Sequence, residues 1–228
     1  ENKAQENNAP TKEAESVEDA AYLDEWRALC ECNGDTLKTS LYAHLDILAD
    51  TAECEQLLKD ILAQTQKAEI IDNCLAVFID TTSGNTAKLV CSVPKLEDGE
   101  PLSDLYSGIY ARHAGFSFPD IGRAAFDTEL GTSAAVFLNG PSVSTMFDPE
   151  TPEEENMLIV IDTHQDWFVA STETMIAQNK PLVSFLSHSS FKETVLSDEY
   201  SAGGHYLRLI ARTILGEDDS RVAKLCHI

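Results

Sequence analysis

Basic residues are scarce in this chain: 16 Lys and Arg stand against 39 Asp and Glu over 228 residues, a formal net charge of −23. A surface with that balance repels phosphate backbones and anionic headgroups, so neither nucleic acid nor a membrane surface is an expected partner. Long apolar runs are missing too. None approaches the roughly 20 residues needed to cross a bilayer, and the first residues are polar rather than basic and then apolar. No membrane span is expected, and the location expected is cytoplasmic, with a processed or exported form left open. The six cysteines, Cys30, Cys32, Cys54, Cys74, Cys91 and Cys226, lack the dense spacing of a small disulfide scaffold. Cys74 and Cys91 lie in apolar runs where a thiol behaves as a small hydrophobe. Cys30 and Cys32, two apart on a helical pattern, do not share a face. Reduced thiols without structural zinc are the expectation.

What is present is an ordinary globular composition, 43% hydrophobic and 24% charged, long enough to bury a core without staples. Residues 1–17, mostly Glu, Asn, Gln, Lys, Ala, Thr and Pro with one Ser and one Val, have almost nothing to bury and read as a disordered acidic tail. Residues 18–50 read as a helical extension, with Tyr22, Trp26, Leu29 and Cys30 and then Leu37, Leu41, Leu45 and Leu48 at helical spacing. Residues 51–216 read as a mixed α+β domain and 217–228 as a C-terminal tail. The domain opens with a helix over 53–66 carrying Cys54, Leu57, Leu58, Ile61 and Leu62, with Asp50 and Glu53 as a capping pair. Apolar runs at 75–79 and 89–93 predict a hairpin, and further strands are predicted at 133–138, 157–162, 167–171 and 182–186. Between them, 95–130 reads as loops with one or two short helices. A last helix carries Tyr206, Leu209, Ile210, Thr213 and Ile214 on one face and ends at Gly216, a natural C-cap.

Three segments carry atoms that chemistry could use. Thr81-Thr82-Ser83-Gly84-Asn85-Thr86, after an apolar strand, resembles the phosphate-binding loop of flavodoxins, which would imply an α/β fold, bound FMN and electron transfer. That loop must open a helix so that backbone amides face the phosphate. Here Lys88 to Val93 is strand-like and Pro94 would end a helix within two turns, so a hairpin turn is expected, with Gly84 or Asn85 at positive φ. Asp162-Thr163-His164-Gln165-Asp166 follows a strand in the manner of metal-dependent hydrolases. Only 62 residues follow it to supply further ligands, and His188 and His205 read as turn or surface residues rather than metal ligands. Ser187, Ser189 and Ser190 beside His188 lack a nucleophile elbow, and strand neighbours point to opposite faces. A catalytic role is not expected.

The order of elements over about 160 residues resembles a GAF domain: a helix, the hairpin Leu75-Ala76-Val77-Phe78-Ile79-Asp80 with Leu89-Val90-Cys91-Ser92-Val93, an irregular middle, more strands and a closing amphipathic helix. Asn179-Lys180, Phe191 and Asp198-Glu199 resemble the Asn-Lys, Phe and Asp-Glu signature of cyclic-nucleotide-binding members. Six residues separate Phe191 from Asp198 where the family has three, and Pro181 follows the Asn-Lys pair. The resemblance implies an antiparallel sheet flanked by helices and a non-catalytic, small-molecule-sensing or regulatory domain that signals to a protein partner, with Asn179, Lys180, Phe191, Asp198 and Glu199 as ligand-binding candidates. Helices before residue 70 and after residue 198 would transmit the signal and dimerise. No particular cofactor follows from it. The alternative from composition is an acidic assembly or inhibitor protein whose charge attracts a basic protein partner.

Limited proteolysis should trim residues 1–17 first, and deleting them should leave the remainder folded, as read from the melting temperature. Unfolding on deletion would contradict the reading from composition.

Overall fold

The computed structural model describes residues 17–94, 108–109, 111–119, 136–147, 154–162, 166–171, 183–187, 193–197, 199–216 and 218–223. Helix α1 (Val17–Glu31) and helix α2 (Gly34–Leu45) are followed by a 3-10 turn (Asp46–Leu48) and helix α3 (Ala52–Ala63). Trp26 and Leu29 of α1, Leu37, Leu41 and Leu45 of α2 and Leu48 of the 3-10 turn belong to the same apolar cluster as the sheet, with Tyr22 and Cys30 of the predicted stripe partly buried against it.

Helix α3 stops three residues short of the expected Gln66, because Thr65 opens strand β1 (Thr65–Ile71). That strand pairs antiparallel with β2 (Cys74–Asp80) through a turn at Asp72-Asn73. Both turn residues have positive φ, 50° and 61°, the conformation of a two-residue type I′ hairpin, whose twist matches that of the strands it joins. The capping pair also differs from expectation. Thr51 is the N-cap of α3, its hydroxyl accepting from the Cys54 amide at 3.1 Å, while Asp50 and Glu53 bond instead to Ser201 and Tyr200 at the start of another helix.

Strand β3 (Thr86–Cys91) follows, then β4 (Phe116–Phe118), β5 (Val136–Phe147), β6 (Glu154–Asp162), β7 (Asp166–Ser171), β8 (Ser184–Ser187) and β9 (Glu193–Val195). Each pairs antiparallel with the next, so the nine strands among the described residues form one meander in chain order. Mixed helix and antiparallel sheet is thus the fold class, and among the described residues no parallel pairing supports the α/β alternative. The predicted hairpin is present, with Leu75 opposite Cys91 and Asp80 opposite Thr86, and Gly84 in its turn at φ +83°. Strand β5 runs past the expected end at 138, through Asn139-Gly140-Pro141, and its register with β6 shifts between Leu138 and Ser142. A bulge accommodates the proline, which has no amide to offer the ladder. Thr65–Ile71, Phe116–Phe118 and Glu193–Val195 are strands that periodicity did not predict.

The sheet is not buried throughout the hairpin runs. Leu75, Val77 and Ile79 of β2, with Ala87, Leu89 and Cys91 of β3, face the core, while Phe78 and Val90 are half-buried on the other face. Antiparallel sheets tolerate one wetter face, and there the Lys67 ammonium lies 4.6 Å from the centre of the Phe78 ring.

Helix α4 (Ala202–Leu215) lies in the core and is followed by the short helix α5 (Ser220–Ala223). Residues 202–212 of α4 are all buried, as is Ile214. The expected amphipathic pattern is present, with Tyr206, Leu209, Ile210 and Ile214 buried, but its polar residues His205, Arg208 and Arg212 are buried as well, as in a helix packed on several sides. Each fully buried Leu or Ile on it contributes about 1.5–3 kcal/mol. Gly203 permits the close approach: a Cβ there would stand 2.8 Å from the Leu48 carbonyl oxygen and 3.0 Å from its Cα. Because the obstacle is backbone, Gly203→Ala should lower the unfolding free energy by about 1–3 kcal/mol, measured by denaturant titration. A neutral substitution would mean that α4 does not sit on the 3-10 turn.

Candidate functional site

Two polar groupings stand inside this framework. The first joins α1, α2 and the end of β3. His44 lies in the last turn of α2, on the same stripe as Leu37 and Leu41, and is buried. His113 follows helical residues 111–112, its amide donating to the Ile109 carbonyl at 2.8 Å. Strand-like bonds from Ser92 to Gly115 (2.9 Å) and from Ala114 to Val93 (2.9 Å) then hold it opposite the end of β3. The two rings meet at Nε2, 2.8 Å apart. Their other nitrogens are also engaged: His44 Nδ1 is 2.7 Å from Glu25 Oε1, and His113 Nδ1 is 2.8 Å from the Ser92 carbonyl oxygen. Trp26 stacks on the His113 ring at 5.4 Å, and Phe116 meets it edge-on at 5.1 Å. Arg112 closes the surround, donating to the His44 carbonyl at 2.6 Å and reaching Asp46 at 3.3 Å.

Burial pushes the His113 imidazole down to about 3, reinforced by the charges of His44 and Arg112 and opposed by its bond to the Ser92 carbonyl. A protonated ring would have to leave water for an aromatic cage.

The second grouping ties α3 to the start of α4. The Ser201 amide donates to Asp50 Oδ2 at 2.7 Å, and the Tyr200 hydroxyl to Glu53 Oε2 at 2.6 Å. Arg208 lies over the Tyr200 ring at 4.4 Å and donates from Nε to the Arg221 carbonyl at 2.8 Å. Arg221 in turn holds Asp60 of α3 at 2.7 Å and Asp219 at 2.6 Å. Burial, then the bond to Glu53, push the Tyr200 phenol up to about 12, so it remains a donor at neutral pH.

Of the candidates from the GAF resemblance, Asn179, Lys180, Phe191 and Asp198 lie outside the described residues. Glu199 is described: it is exposed, and its charge acts on Tyr200 and Arg208. The loop that resembles a flavin phosphate site is a hairpin turn, its Thr81 hydroxyl accepting from the Asn85 amide at 3.2 Å. The Thr82 amide donates to the Ile214 carbonyl at 3.0 Å. The loop therefore abuts the carbonyl end of α4, where the helix dipole disfavours an anion. Asp162 and Asp166 end β6 and begin β7, with Asp162 opposite Trp167. His205 is in the core, its ring 5.6 Å from Tyr200 and 6.1 Å from Phe168. His164, His188, Ser189 and Ser190 lie outside the described residues. Among the described residues no three His, Cys, Asp or Glu side chains are grouped to hold a metal, and Cys30, Cys32, Cys54, Cys74 and Cys91 are free thiols.

Sequence reasoning missed the His44 and His113 pair. The two are 69 residues apart, beyond any motif spacing. The available signal was a histidine on the apolar stripe of α2, three residues after Leu41.

Comparison with protein-family models, with curated proteins and with solved structures returned no match.

The depressed His113 basicity has a definite sign. Between its ordinary value of 6.5 and about 3, the unfolded chain binds a proton that the folded chain refuses, so stability falls as pH falls through that window. Lowering the pH from about 6.5 to about 5 should cost about 2 kcal/mol through this ring. In His113→Asn, which keeps a donor towards Ser92 without a titrating ring, that component should vanish. Denaturant titrations of both proteins at the two pH values measure it, and parallel losses would contradict a neutral His113.

Proposed function

We propose that the chain is a non-catalytic sensory or regulatory domain of the GAF-like kind, which binds a small molecule and passes the occupied state to a protein partner or a second copy of itself. The observation that carries this reading is the join between the helices before residue 70 and the helix after residue 198. Asp50 to Ser201, Glu53 to Tyr200 and Asp60 to Arg221 are direct bonds of 2.6–2.7 Å between those two regions. A displacement at the start of α4 would move α3 with it. Occupancy becomes a signal only when the ligand binds two arrangements unequally, and a rigid polar join suits such a coupling. The ligand is a small molecule, with Asn179, Lys180, Phe191, Asp198 and Glu199 as candidate binding residues, and their resemblance to the cyclic-nucleotide signature makes nucleotides the first class to test. Glu199, close to Arg208, acts in this reading as a structural counter-charge.

The net charge of −23 favours a second reading, an acidic assembly or inhibitor protein that binds a basic protein partner. Its association would weaken with salt.

Calorimetric titration of the folded chain against cyclic and linear nucleotides should give saturable heat with at least one of them. Silence across the panel from folded protein would overturn the sensory reading. Salt-dependent complex formation with basic proteins, followed by size-exclusion chromatography, would then support the second.

A further inference from the structure

The chain of contacts from Glu25 through His44 and His113 to Ser92 constrains its own protons. A backbone carbonyl only accepts, so His113 Nδ1 carries hydrogen towards Ser92. An ionised carboxylate only accepts, and the Glu25 side chain is 60% exposed to water, so His44 Nδ1 carries hydrogen towards it. The two Nε2 atoms, 2.8 Å apart, need one hydrogen between them, since two lone pairs at that distance repel. Three hydrogens on two imidazoles make one imidazolium. With His113 enclosed by Trp26 and Phe116 and facing a neutral carbonyl, the cation is His44, paired with Glu25. The charged groups facing the pair are Glu25 from α1, Asp46 after α2 and Arg112 before β4, the last donating to the His44 carbonyl.

We propose that this chain is a proton-operated latch that fastens α1 and α2 to the end of β3, closed when the two rings share one extra proton and opened when it leaves. On deprotonation the departing proton goes to solvent base, and two hydrogens remain for three contacts of 2.7–2.8 Å. One contact must then set lone pairs against lone pairs or against the carboxylate. The contact to the exposed Glu25 is the one that yields, because Glu25 is re-solvated at little cost while the carbonyl of Ser92 is not. Helix α1 thereby loses this polar tie to α2 and loosens locally, while Trp26 and Leu29 stay in the core. A second extra proton opens the latch from the acid side, placing hydrogens on both Nε2 atoms. The latch requires no ligand and stands independently of nucleotide binding.

The test uses the full chain, with ring-nitrogen and proton magnetic resonance from about pH 6 to about pH 10, bracketing the ordinary histidine range. Three ring-bound hydrogens across the two rings are expected at the lower pH, one of them between the Nε2 atoms. Amide exchange in residues 21–31, referred to the intrinsic rate at each pH, should accelerate about tenfold as that hydrogen is lost, the worth of one charged hydrogen bond. Glu25→Gln changes an exposed side chain whose amide can donate to a neutral His44, so it should keep α1 protected at high pH. Four or two ring hydrogens at the start, or protection that ignores the loss, would overturn the latch. So would a Gln variant that opens like the parent, or a zinc titration that replaces the shared hydrogen at both Nε2 atoms.

Discussion

Enclosure of α4 is the constraint on which the rest of the described structure depends. Most of the helix surface is taken out of water, including His205, Arg208 and Arg212, and charged side chains inside a protein are tolerated only with partners. Much of the architecture follows from supplying them. The Tyr200 ring and the Arg221 carbonyl receive the Arg208 guanidinium. At the far end, the β2–β3 turn donates the Thr82 amide to the Ile214 carbonyl, one of the acceptors a helix leaves open at its C-terminus. At the near end, Ser201 accepts from the Gly204 amide, while Gly203 and Gly204 leave room for the backbone of Leu48 and the side chains of Asp50 and Cys54.

The same constraint explains why α1 and α2 are part of the core. Their apolar stripes and the inner faces of β1 to β4 share one buried cluster with α4. Where α1 and α2 reach the edge of that cluster, apolar packing gives way to the Glu25, His44 and His113 chain. Buried polar chains of this kind hold well only when every member is satisfied, which makes this junction more sensitive to proton count than the apolar contacts around it.

Much of the local structure was legible in the sequence because its signals are local. The helical spacing of Leu37, Leu41 and Leu45, the apolar runs flanking Thr81 to Thr86, and Gly216 at φ +89° after α4 each state a backbone preference that the fold keeps. Errors arose where pairing overrode spacing. Helical periodicity ran on to Gln66, yet Thr65 is in a strand because Asp72-Asn73 turns the chain back onto β2. Asn139-Gly140-Pro141 has the chemistry of a turn, yet β5 passes through it by shifting register.

The sequence by itself determined composition, the acidic charge, most helices and the central hairpin, since these depend on residues within a turn or two of one another. Only the tertiary structure decided that the polar side of the amphipathic helix α4 is buried along with its apolar face, and that Asp50 and Glu53 serve another helix instead of capping their own. It also decided that His44 and His113 face each other across 69 residues. A side chain's burial and hydrogen-bond partner are set by segments distant in the chain, and no local spacing encodes where those segments meet.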